Sequence, residues 1–135
     1  MTRKDLSRIY YLDRELKMWQ QELAELEGKL GVGSPSLSGM PSAQGRPSSP
    51  TERQGMALAD CKTQIELIIL QIKEATKEVY DFIASLDDSL MRQIVNYRCV
   101  KLMSWEQIEI KLGGMNSADT LCKMYSRFLT KTFGE

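Results

Sequence analysis

The chain contains no histidine. Without it the side chain that most often serves as general base, metal ligand or triad member near neutral pH is missing, and no enzyme is expected. Cysteine is sparse: Cys61, Cys99 and Cys122 are odd in number and unpaired in spacing, which argues against both a disulfide framework and a zinc site and fits a reducing cytoplasm. No apolar run, Leu67–Leu70 included, exceeds four residues, far short of the roughly 20 that span a bilayer. A membrane is therefore not an expected partner. Behind Arg3 and Lys4 no apolar signal region follows, so secretion is not expected either. Gly31-Val32-Gly33 sits in a Ser/Pro tract without the strand that a phosphate-cradling loop needs. Asp87 and Asp88 resemble a metal pair only superficially, because capping the helix that follows accounts for them. No catalytic residue, metal ligand or cofactor is assigned.

An excess of one charge is also lacking, with 18 basic against 18 acidic side chains. The whole chain thus has no strongly positive field of the kind that coats nucleic acid non-specifically. The distribution is less even. Residues 88–135 carry seven basic and five acidic groups, net +2, and residues 51–87 carry four and seven, net −3. That is a weak electrostatic case for DNA, and it calls for help from dimerisation or a protein partner.

What is present is helical periodicity, interrupted once. Ile9, Leu12, Leu16, Trp19, Leu23, Leu26 and Leu30 recur in steps of three and four, a heptad seam. Residues 31–50 break the pattern: fourteen of the twenty are Gly, Pro or Ser, and all four prolines lie here. This composition predicts a flexible linker. Ser49-Pro50-Thr51-Glu52 then marks a second helix start, with Pro50 at the first helical position. Leu58, Cys61, Ile65, Ile68, Ile72, Ala75, Val79, Phe82 and Leu86 form its seam. Two tethered helices with facing stripes predict an antiparallel hairpin over 1–87. Trp19 and Phe82 are read as core, and Leu6, Tyr10 and Tyr11 as braces where the next domain emerges. Leu67, Ile69 and Leu70 lie off the seam. They predict a homodimer in which two hairpins form a four-helix bundle; packing against the C-terminal domain of the same chain is the competing account.

Residues 88–135 read as three short helices. Asp87-Asp88-Ser89 offers N-cap oxygens ahead of Leu90, Ile94, Val95 and Arg98. Ser104-Trp105-Glu106-Gln107 is a capping box before Ile108 and Leu112, and Gly113-Gly114 stops that helix. A third helix restarts at Asn116 or Ser117 and places Leu121, Tyr125, Phe128 and Leu129 on its inner face. Met91, Met103, Met115 and Met124 are read as adaptable packing in this bundle. The spacing leaves Thr120, Lys123, Ser126, Arg127 and Lys131 outside. Two helices joined by a glycine turn, the second with a polar and basic outer face, suit a DNA major groove. A small helical cap with a solvated basic face has the same pattern.

The order Leu86-Asp87-Asp88, Arg92, Ile94, Tyr97-Arg98, Ser104-Trp105-Glu106-Gln107-Ile108, Leu112-Gly113, Ser117, Thr120-Leu121 resembles region 4 of bacterial sigma factors, over about a third of the chain. With the long helical hairpin ahead of it, the layout is similar to the small ArpU/RinA-like transcription regulators of phages and prophages in Gram-positive bacteria. Two departures stand out. Glu109 occupies a position where the pattern has a small alanine, and Gly114 and Asn116 lengthen the turn.

The expectation is therefore an all-α protein: a long antiparallel helical hairpin, or coiled coil, over 1–87, followed by a sigma region 4-like helix-turn-helix domain over 88–135. The resemblance implies a sequence-specific, double-stranded DNA-binding regulator of transcription in the cytoplasm of a bacterial host cell. Lys123, Arg127 and Lys131 would meet phosphates or guanine edges, and Ser117, Asp119, Thr120 and Ser126 would supply shorter hydrogen bonds. Two other readings stay open: a small terminase subunit for DNA packaging, and a helical protein-interaction module that binds RNA polymerase.

Overall fold

A computed structural model describes residues 1–33 and 50–134. Among them every regular element is helical: α1 (Arg3–Gly33), α2 (Pro50–Ala84), α3 (Ser89–Val95), a π-helical turn (Asn96–Val100), α4 (Trp105–Lys111) and α5 (Ala118–Phe133). The all-α class is as expected. Most of the 31–50 linker, and with it the capping role of Ser49, lies outside the described residues. The chain forms two compact units, Met1–Asp13 with Gln71–Glu135, and Arg14–Leu70.

In the first unit the seams and the short helices share one core. Leu6 and Ile9 from α1, Ala75 and Val79 from α2, Ile94 and Val95 from α3, and Cys99, Ile108 and Leu121 are all buried in it. Val79, Ile94, Val95, Ile108 and Leu121 are wholly enclosed, and each such side chain stabilises the fold by about 1.5–3 kcal/mol relative to exposure. Phe82 stacks on Phe133 at 5.8 Å and meets Phe128 at 6.2 Å, so the end of α2 is tied to the end of α5. Arg8 bridges Asp5 at 3.0 Å and Glu78 at 3.7 Å on the surface.

The start of α1 carries a capping pair that the sequence reading overlooked. The Thr2 N–H donates to Asp5 Oδ2 at 2.9 Å, and the Asp5 N–H donates to Thr2 Oγ1 at 3.2 Å. These bonds satisfy donors that the first helical turn leaves without partners, and they hold the Asp5 carboxyl below its ordinary range, with Arg8 adding to the effect.

In the second unit the heptad spacing appears directly as burial. Leu16, Trp19, Leu23, Leu26, Leu58 and Ile65 are partly buried, and Cys61 and Ile68 are buried. Trp19 and Leu26 border a shallow cleft together with Ala57 and Cys61. Leu67, Ile69 and Leu70 point elsewhere and are 48, 38 and 55% exposed.

Candidate nucleic-acid interface

The end of α3 sets the frame for the motif. Asp88 Oδ1 accepts from the Leu90 N–H at 3.1 Å and starts the helix. Over Asn96–Val100 the turns widen to π geometry, with the Lys101 N–H donating to the Asn96 carbonyl at 3.0 Å. One more residue per turn moves Cys99 into the core and leaves Leu102 in the left-handed region at φ 57°. The Met103 N–H closes this end by donating to the Tyr97 carbonyl at 3.0 Å. Arg98 then ties the turn to α4: its Nη1 donates to the Met103 carbonyl at 2.9 Å, and its guanidinium lies 4.8 Å from the centre of the Trp105 ring.

α4 begins with the capping box its sequence announces. The Ser104 N–H donates to Gln107 Oε1 at 2.9 Å and the Gln107 N–H donates to Ser104 Oγ at 3.3 Å. Ile108 anchors the helix in the core. Gly113 and Gly114 end it at φ 87° and 75°, where a side chain would be strained. Met115, expected to pack in the bundle, is instead 91% exposed, because the longer turn carries it into solvent.

α5 is capped twice. Ser117 Oγ accepts from the Thr120 N–H at 3.2 Å. Glu109 Oε1, reaching across from α4, accepts from the Ala118 N–H at 2.7 Å. The residue that departs from the sigma-like pattern thus links the two helices by a hydrogen bond. Its signal in the sequence was the departure itself; its partner, nine residues on, was not legible.

The inner face of α5 packs through Leu121, with Met124, Tyr125, Phe128 and Leu129 partly buried beside it. The seven residues singled out from the sequence all fall on its start or its outer face, and all are exposed: Ser117, Asp119, Thr120, Lys123, Ser126, Arg127 and Lys131. They differ in what they do there. Ser117 and Thr120 engage each other, Ser117 Oγ donating to Thr120 Oγ1 at 2.9 Å, so both hydroxyls belong first to the cap. Lys123 pairs with Asp119 at 3.0 Å. Lys123, Arg127 and Lys131 follow at intervals of four, a row about 12 Å long at 1.5 Å per residue.

No group of three or more acidic or cysteine side chains able to hold a metal ion occurs among the described residues, and no described helix is long and apolar enough to cross a membrane. Set against known proteins, the chain matches no family model, no curated protein and no solved structure.

Proposed function

We propose that the chain is a sequence-specific DNA-binding regulator of transcription, of the kind phages and prophages encode, which performs no chemical step. In this reading an antiparallel helical hairpin carries a helix-turn-helix domain, α4 supports, and α5 lies in the major groove. The observation that carries it is the division of α5 into a packed inner face and an exposed row of Lys123, Arg127 and Lys131. A helix held rigidly by one face, with cations on the other, meets both demands of groove docking: fixed register and phosphate attraction. Near-neutral overall charge keeps non-specific attraction low, so affinity is taken to depend on a homodimer whose two reading helices sit about 34 Å apart or at a multiple of that distance.

The test is binding of fluorescent duplexes from the protein's own genomic neighbourhood, followed over a salt series. Lys123→Ala and Arg127→Ala are each expected to weaken binding and to lower the salt slope by about one unit per lost phosphate contact. An unchanged slope in both variants removes the row from the interface.

A second reading draws on Ile110 and Met115, which are 77 and 91% exposed on α4 and the turn. Two large apolar side chains beside the proposed reading helix suit a protein partner such as RNA polymerase. Retention on polymerase that is lost in Ile110→Ser and Met115→Ser, with no shift of any duplex, would favour this second reading.

A further inference from the structure

We propose that the groove between the end of α2, the outer side of α3 and the π-helical turn is a binding site for a mononucleotide, a base carrying at least one phosphate. The groove lies within the first unit and holds about 400 Å³, inside the roughly 300–1,000 Å³ range of small-molecule sites. Three kinds of group line it, and a nucleotide engages all three.

The first is positive charge. Arg92 and Lys101 line the groove and no carboxylate does. Arg92 is held through Nη1, which donates to the Leu86 carbonyl at 2.7 Å and to the Asp87 carbonyl at 3.4 Å. Its Nη2 and Nε donors remain for a phosphate, and a planar guanidinium fixed in advance loses little freedom on meeting one. Lys101, exposed directly after the π-helical turn, supplies a second cation.

The second is an unmet acceptor. Asn96 Oδ1 is enclosed yet accepts no hydrogen bond from any described residue, an arrangement that lowers stability. Asn96 as a whole is only partly buried and lines the groove, so a turn of its amide brings this oxygen to the opening, where a ligand N–H can meet it. The exocyclic amino groups of adenine, guanine and cytosine are donors of this kind. The third is an aromatic face. Tyr80 is 46% exposed, with the partly buried Ile83 three residues on beside it. A base of any type stacks on such a ring. Inorganic phosphate would use the cations alone, and a nucleoside only Tyr80 and Asn96.

The proposal is independent of the DNA-binding reading, and its test needs no duplex. The full chain is titrated at fixed salt with AMP, GMP and CMP, with the nucleoside of each, with ribose 5-phosphate and with a single-stranded octamer, following backbone amide shifts. The expected result is saturable binding of at least one monophosphate, with shifts centred on Ile83, Gln93, Asn96 and Lys101. Its nucleoside and ribose 5-phosphate should each bind at least tenfold more weakly, a factor equivalent to about 1.4 kcal/mol. Lys101→Gln and Tyr80→Leu, both at exposed positions, should each weaken binding of that monophosphate about tenfold with unchanged amide dispersion. Binding of none of the three, equal binding of the nucleoside, indifference to both variants, or binding of the octamer alone would overturn the proposal.

Discussion

A helix N-terminus leaves its first N–H groups without internal partners, and at α5 one of them is met by a side chain from a different helix. Glu109 Oε1 accepts from the Ala118 N–H at 2.7 Å, which also sets a carboxylate against the positive end of the helix dipole. Glu109→Ala is expected to lower stability by about 1 kcal/mol, as loss of a cap does, and Glu109→Gln, which keeps an acceptor without the charge, by less. Urea midpoints at constant slope measure both; an unchanged midpoint for the alanine variant would show that the bond contributes nothing. The Cys99–Tyr125 contact gives a second prediction. Burial raises both groups, the thiol above its ordinary 9.0 and the phenol above its ordinary 10.0, with the Cys99 neighbour adding to the rise at Tyr125. A raised folded pKa means that the unfolded chain releases its proton first. Stability is therefore complete below these values and declines as pH rises past them, by up to about 1.4 kcal/mol per pH unit for each proton. Tyr125→Phe should flatten the decline above about pH 10 in urea midpoints; an equally steep fall in that variant would assign the loss to other groups.

At the scale of helices, what could be read from the sequence was what is local. Ser104 with Gln107, Asp88 with Leu90 and Ser117 with Thr120 are caps closed within three residues, so residue type and spacing suffice to place them. The seams were legible for the same reason, because burial at Ile9, Cys61, Ile68 and Val79 repeats a period that the chain displays openly. The π-helical turn was not. Nothing in Asn96-Tyr97-Arg98-Cys99-Val100 marks a sixth residue in the turn, and Leu102 adopts a left-handed conformation that glycine would have advertised. Cys99 in that turn meets Tyr125, 26 residues away, a contact that local spacing does not display. Within the outer face of α5, spacing placed Asp119 but could not show that it pairs with Lys123. The side chains of that ion pair are 65 and 77% exposed, Lys123 and Asp119 respectively, so the pair itself stabilises little. Its consequence is for binding, since it holds an anion against a proposed phosphate contact. Asp119→Asn is expected to tighten duplex binding severalfold and to change stability by less than about 1 kcal/mol, the limit set by its place in the first turn. Weaker binding by this variant would mean that Asp119 accepts a hydrogen bond from a base.

For the whole molecule the open question is what covers the apolar side of α2. A helix that is apolar on two faces is normally buried by two neighbours, and among the described residues of the second unit the buried apolar side chains of α2 are Cys61 and Ile68. Leu67 and Leu70 lie one turn apart on the other side, 48 and 55% exposed, with Ile69 beside them at 38%. Exposed side chains contribute little to the stability of a single chain, so charges placed there should leave the monomer folded. In the proposed dimer a second copy would cover this face, an isologous contact letting each Leu67 and Leu70 meet their own counterparts around a two-fold axis. Under the proposed DNA-binding function it would also supply a second reading helix, which a chain of balanced charge would need for useful affinity. Leu67→Lys and Leu70→Lys together are therefore expected to convert a dimer of about twice 15.4 kDa into a monomer in sedimentation equilibrium at micromolar concentration, with helicity retained and duplex affinity reduced by at least tenfold through loss of the second half-site. A wild-type chain that sediments as a monomer, or a variant that stays dimeric, would place the partner of this face elsewhere, and a mass of several subunits would point to the ring of a DNA-packaging protein instead.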